Sequence, residues 1–117
     1  MKKAYYLSSC STCLLILKEL QHNNFVLQDI KHSAVTSSQL DEMYALSASY
    51  EALFSKRALK YKSMGLKDVN LKEEDYKRLL LQEYTFLKRP VFLVDETIFI
   101  GNSKKKIASL KAYLSDE

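Results

Sequence analysis

Between Lys3 and Ile30 the hydrophobic period changes twice, and that alternation limits the folds open to this chain more than any other feature. Lys3–Leu7 (KAYYL) is rich in β-formers and reads as a strand. Leu14, Leu15, Leu17 and Leu20 then fall on one helical face, which ends near His22-Asn23-Asn24. Ser11 or Thr12 is placed to cap that helix. Phe25–Ile30 (FVLQDI) returns to strand character. A strand, a helix and a strand in close succession favour parallel pairing through a right-handed crossover.

The middle of the chain reads as helical. Thr36-Ser37-Ser38 caps a segment running to about Ser47, with Glu42 as the expected acid of a capping box. Tyr50 to Met64 reads as a second helical segment stopped by Gly65, and a third begins at Leu71 (LKEEDYKRLLLQEYTFL). Glu73, Glu74 and Asp75 suit the positive end of that third helix. The period then shortens. Val91–Val94 and Thr97–Ile100 flank Asp95-Glu96 and predict a hairpin, whose loop can be longer by a residue at each end. Ser103 caps a last helix that opens on Lys104-Lys105-Lys106.

With 117 residues, 47% hydrophobic, the chain suits one globular domain, and no internal repeat or linker divides it. No apolar run reaches the roughly 20 residues a membrane helix needs. The N-terminus lacks a long apolar region and a small-residue cleavage site, so it reads as the first strand and not as a signal peptide. A cytoplasmic protein is expected, with thiols kept reduced. The net charge of +4 is modest. The lysine run reads as a solvated helix face, or else as a docking or phosphate patch. No nucleic-acid recognition motif accompanies it.

Both cysteines, Cys10 and Cys13, lie in the stretch LSSCSTCLLI, where the first strand gives way to the first helix. Structural zinc needs four ligands, and His22 and His32 have no matching spacing, so neither histidine is given a role. Two small buried hydrophobes are the plain alternative. The polar frame of Ser8, Ser9, Ser11 and Thr12 argues instead for exposure of Cys10. Unpaired N–H groups and the helix dipole favour an anion at that corner, which lowers a thiol below its free value of about 8.5. Cys13, one turn further in, suits a resolving thiol that closes an intramolecular disulfide. Pro90, in Lys88-Arg89-Pro90, opens a strand, and its functional reading is a cis peptide beside the thiols.

Three segments in order carry a resemblance that spans nearly the whole chain. The βαβ–helices–ββα order with CSTC at its first corner, the KRP before the hairpin, and SKRALKYKSMGL (Ser55–Leu66) together resemble the arsenate reductase/Spx family. The resemblance implies an α/β protein of thioredoxin-like fold, βαβ–(helical insertion)–ββα. A four-stranded mixed sheet would be flanked by helices in a single domain over 1–117, with the insertion at about 37–87. It implies Cys10 as nucleophile with Arg57 and Arg89 near it, guanidiniums suited to an oxyanion or a thiolate. Tyr61 falls on the family's aromatic position and reads as core.

Two kinds of protein fit that resemblance. One is a thiol oxidoreductase resembling arsenate reductase, acting on a small oxyanion or a thiol/disulfide substrate, with no bound cofactor and with glutathione and glutaredoxin as electron donor. The other is an Spx-like regulator whose Cys10–Cys13 disulfide switches binding to RNA polymerase, at the C-terminal domain of its α-subunit. Neither implies direct nucleic-acid contact or a membrane. The chain differs from the family at two places. Leu14 and Leu15 stand where an Arg or Lys is common after the cysteine motif, and Ile100-Gly101-Asn102 carries no arginine after the last strand.

Overall fold

Parallel pairing of the first two strands, anticipated from the short crossover, is the organising feature of the computed structural model, which describes residues 1–116. Strand β1 (Lys2–Tyr6) pairs in parallel with β2 (Val26–Asp29), and helix α1 (Ser11–Glu19) makes the connection. On its other side β1 pairs antiparallel with β3 (Val91–Val94), which continues antiparallel to β4 (Thr97–Ile100). The result is one mixed four-stranded sheet in the order β2-β1-β3-β4. Helix α5 (Lys104–Ser115) follows. These elements form one compact unit, Met1–Ser33 with Arg89–Glu117, and Ala34–Lys88 form a second.

The first unit is built on a face of the sheet set by strand register. Ala4 lies opposite Phe92, and Phe92 opposite Phe99, so all three project to the same side. Ile16 and Leu20 from α1 and Ile107 and Leu110 from α5 close over them in one buried cluster. Phe25 meets Phe92 edge to face, with centroids 5.1 Å apart. Every residue of β3 is buried, which explains its unbroken apolar run: a central strand with both faces covered has no place for a polar residue. The hairpin is tight. Val94 pairs with Thr97, leaving only Asp95 and Glu96 in the loop, and Asp95 adopts the left-handed conformation such a loop requires.

The second unit holds α2 (Ser37–Ser47), α3 (Leu59–Ser63) and α4 (Glu73–Gln82), joined by short 3₁₀ turns. Thr36 caps α2, but the reciprocal partner in its capping box is Gln39 and not Glu42. The box needs a side chain at the third helical position, and Glu42 lies a turn too far. The expected helix from Tyr50 to Met64 is interrupted. Phe54 leaves helical geometry to bridge Leu87, the Ser55 N–H donates to the Phe86 carbonyl at 2.7 Å, and α3 begins only at Leu59. Phe54 stacks on Phe86 at 4.8 Å and meets Tyr76 at 5.0 Å, so aromatic burial outweighs local helix propensity there. Gly65 ends α3 in the left-handed conformation, as anticipated. The third helical segment is likewise shorter than its pattern, giving way after Gln82 to a 3₁₀ turn over Tyr84–Phe86.

Replacing Phe92 by Ala removes a ring from the centre of the first unit's core. Urea unfolding should show a loss of about 3–5 kcal/mol. Leu15→Ala, at a position 63% exposed, should change stability by less than about 0.5 kcal/mol.

Candidate active site

The corner between β1 and α1 is a tight turn held from two directions. The Cys10 N–H donates to the Leu7 carbonyl at 3.0 Å, and the Leu14 N–H donates to the Cys10 carbonyl at 3.2 Å as the first bond of the helix. Asp29, at the end of β2, accepts from the Ser8 N–H and from the Lys31 N–H, each at 3.3 Å. The parallel register brings this about, because the ends of β1 and β2 emerge side by side. Hydrogen bonds from Ser8 and Lys31 in turn help hold the Asp29 carboxyl below its usual range against the opposing effect of burial.

Cys10 itself is the N-cap of α1, in extended conformation, and Ser11 and Thr12 are the first two helical residues. Neither therefore caps the helix as expected. The stretch places a sulfur where a serine or aspartate oxygen commonly sits. Cys10 forms no geometric side-chain cap bond in this state, yet the amides beyond it act on its charge. Partial burial raises its pKa. The Cys13 N–H, the Cys13 thiol, the Thr12 N–H and the positive charge of Arg89 together outweigh that, and the Cys10 thiol is held below its ordinary value.

Cys13 behaves in the opposite way. It is fully buried, and burial above all pushes its thiol up to about 12, with the neighbouring Cys10 sulfur adding to the rise. The two cysteines thus divide the roles. Cys10, partly exposed, ionises first, and Cys13 keeps its proton and directs it at the Cys10 sulfur. Both are free thiols.

Arg89 and Pro90 arrive at this corner from β3. Tyr5 pairs with Val91, so the residues preceding Val91 lie at the end of the sheet where β1 runs into the cysteine turn. The Arg89–Pro90 bond is cis, and the buried proline's carbonyl accepts from the Gly101 N–H at 2.9 Å. Gly101, with φ +92°, holds the turn out of β4 in a conformation that side chains disfavour.

The first unit thus unites Cys10, Cys13, Arg89, Pro90, Ser11 and Thr12 at one end of its sheet. Arg57 belongs to the second unit, exposed in the segment between Phe54 and α3. Tyr61, expected in the core, is half-buried and packs edge-on against Phe54 at 5.9 Å. His32 lies 3.6 Å from Asp29, whereas His22 contacts the side chain of Asn23. Sequence reasoning missed Asp29 and Ser8. The signal was a single acid closing the apolar strand FVLQDI.

This arrangement can present an anionic sulfur to an electrophile and hold a second sulfur in reserve. Because the Arg89 charge contributes to lowering the Cys10 thiol, Arg89→Ala should move the midpoint of Cys10 ionisation upward. Thiolate absorbance followed against pH, or the pH profile of iodoacetamide alkylation, measures that shift. Cys13 should remain unmodified in the folded protein at neutral pH, as peptide mapping by mass spectrometry would show.

The ArsC family model matches residues 5–110 of this chain. Among solved structures, a Yersinia pestis protein provisionally assigned as an arsenate reductase superimposes with a TM-score of 0.79 at 15% identity, covering 93% of this chain and 99% of its own. A possible arsenate reductase from Streptococcus mutans gives 0.75 at 23% identity, covering 95% and 98%. An arsenate reductase from Vibrio cholerae gives 0.73 at 18% identity, covering 94% and 95%. No curated protein matches. The thioredoxin-like α/β fold is therefore shared along nearly the full length of these structures. With the family matched from β1 into α5, this chain belongs to the ArsC family of thiol-redox proteins.

Proposed function

We propose that the chain is a thiol oxidoreductase that works through a Cys10–Cys13 disulfide. What carries this reading is the opposed ionisation of the two sulfurs, one lowered at the helix start and one raised and directed at it. The Cys10 thiolate attacks an electrophile, either a sulfur of a disulfide or a small oxyanion. With a disulfide, a bond forms between Cys10 and one substrate sulfur as the substrate's S–S bond breaks, and the leaving thiolate takes up a proton. Cys10 is then neutral and no longer opposes ionisation of Cys13. Cys13 gives up its proton and attacks the Cys10 sulfur, the internal disulfide forms, and the second substrate thiol departs. The substrate gains two electrons and the chain loses two. An external thiol, with glutathione and glutaredoxin as the family-based choice, returns the pair to the dithiol.

Arg89 is assigned the stabilisation of the thiolate and the anionic intermediates, and its charge already acts on both sulfurs. Arg57 is assigned a second oxyanion contact on the family resemblance alone. A redox-switched regulator is the second reading. It draws on the same buried partner thiol, whose disulfide would mark an oxidised state, and it requires binding to the polymerase α-subunit in one redox state only.

Cys10→Ser should abolish reduction of a small aromatic disulfide such as dithiobis(nitrobenzoate). Cys13→Ser should let the first step proceed and accumulate a mixed disulfide on Cys10, seen as a mass increase that dithiothreitol removes. Equal alkylation rates at Cys10 and Cys13 would sink the reading. Arsenate turnover with glutathione and glutaredoxin supplied, alongside a redox titration of the pair, separates the two branches. A disulfide without turnover but with redox-dependent binding to the α-subunit would favour the regulator.

A further inference from the structure

The lysine run at the start of α5 takes on a role once the charges of the first unit are sorted by the ends of its sheet. β1 and β2 run toward the cysteine corner, β3 runs away from it, and β4 runs back. Helices α1 and α5 both begin at the corner end and share one buried cluster on one face of the sheet. Lys111 late in α5 reaches Glu19 at the end of α1 at 2.9 Å, so the two helices run alongside each other in the same direction. Arg89, Lys104, Lys105 and Lys106 therefore all lie at the corner end, as does Lys31 just beyond β2.

Against these cations, that end holds one carboxylate among the unit's described residues, Asp29, which already accepts from the Ser8 and Lys31 amides. Glu19, Asp95, Glu96 and Asp116 are all at the far end, at the C-termini of the helices or in the hairpin loop. The lysine run is also placed against its own helix. Cations in a first turn are disfavoured by the dipole. Lys104, Lys105 and Lys106 are exposed, and no carboxylate among the described residues pairs with them to offset that cost. At the same end, in the first turns of α1, Leu14 and Leu15 are 46% and 63% exposed.

We propose that the corner end of the first unit is a docking face for an acidic polypeptide carrying the disulfide that Cys10 attacks, with Lys104, Lys105 and Lys106 as its specificity determinants. The occupant must bring a sulfur, because the same end of the sheet holds a nucleophilic thiol with the Arg89 charge acting on it. It is a polypeptide, because two exposed leucines beside the nucleophile serve an apolar side chain and offer nothing to a small oxyanion. It is acidic, because the field at this end attracts anions and raises their encounter rate. The inference rests on the thiol-exchange reading above and adds the substrate's charge to it.

The test uses the full reduced chain and three synthetic peptide disulfides alike in length, one glutamate-rich, one lysine-rich and one uncharged. Second-order rate constants are measured by quenched-flow mass spectrometry at low and at high salt. At low salt the acidic peptide should react about tenfold faster than the basic one, and high salt should close the gap. Lys105→Glu should shrink the gap by about threefold, whereas Lys18→Glu, the same charge change at the far end of α1, should leave it nearly intact. Equal rates for acidic and basic peptides, with the neutral one reacting, overturn the docking face and leave the redox reading standing. Equal effects of the two substitutions overturn the lysine assignment, because net charge alone would then account for the preference. Failure of all three peptides to react overturns the thiol-exchange reading and this inference with it.

Discussion

The functional reading of this protein depends on a cysteine sulfur standing where a helix expects a capping oxygen. The first amides of α1 have no partner within the helix, and the chain offers them the Cys10 side chain. A serine hydroxyl there would satisfy the helix and do little else. A thiol does so best as an anion, so the backbone's unmet hydrogen-bonding capacity becomes a bias toward the nucleophilic form. The turn must hold for this to work, and the Asp29 carboxylate ties it to the neighbouring strand.

The second cysteine shows how burial sets roles that residue type alone does not. Cys10 and Cys13 are three positions apart and chemically identical, yet one is lowered and the other pushed up to about 12. The difference is location along one helical turn. The N-cap projects outward at the corner, and the residue one turn further in faces the packed interior. A lowered thiol and a raised one thus arise from a single helix start.

Charge in the first unit is sorted by strand and helix direction. Both helices that share its buried face begin at the cysteine corner, so two positive dipole ends, Arg89 and the α5 lysines gather there while most carboxylates collect at the other end. This polarity follows from topology as much as from composition. A net charge of +4 spread evenly over 117 residues would steer nothing. Set at the end of the sheet that carries Cys10, a local excess of cations is what the proposed docking face uses.

Much of this was legible in the residues themselves. The alternation of periods announced a parallel strand pair and the paired runs around Asp95-Glu96 a hairpin, while the polar frame of Cys10 announced an exposed thiol that the fold leaves only partly exposed. These are local properties, written in spacing and side-chain type, and family resemblance extended them to the whole fold. Spacing did not reveal the break at Phe54, which leaves helical geometry because Phe86 and Tyr76, distant in sequence, offer a better aromatic environment than a continued helix. Nor did it reveal Asp29 as the anchor of the cysteine turn, or that the lysine run begins a helix at the same end of the sheet. Each of those depends on which strand ends lie side by side, and register is decided only when the sheet assembles. Residue type and spacing settled which side chains can do chemistry; assembly of the fold settled which sulfur is charged and what surrounds it, because burial and proximity belong to the folded chain alone.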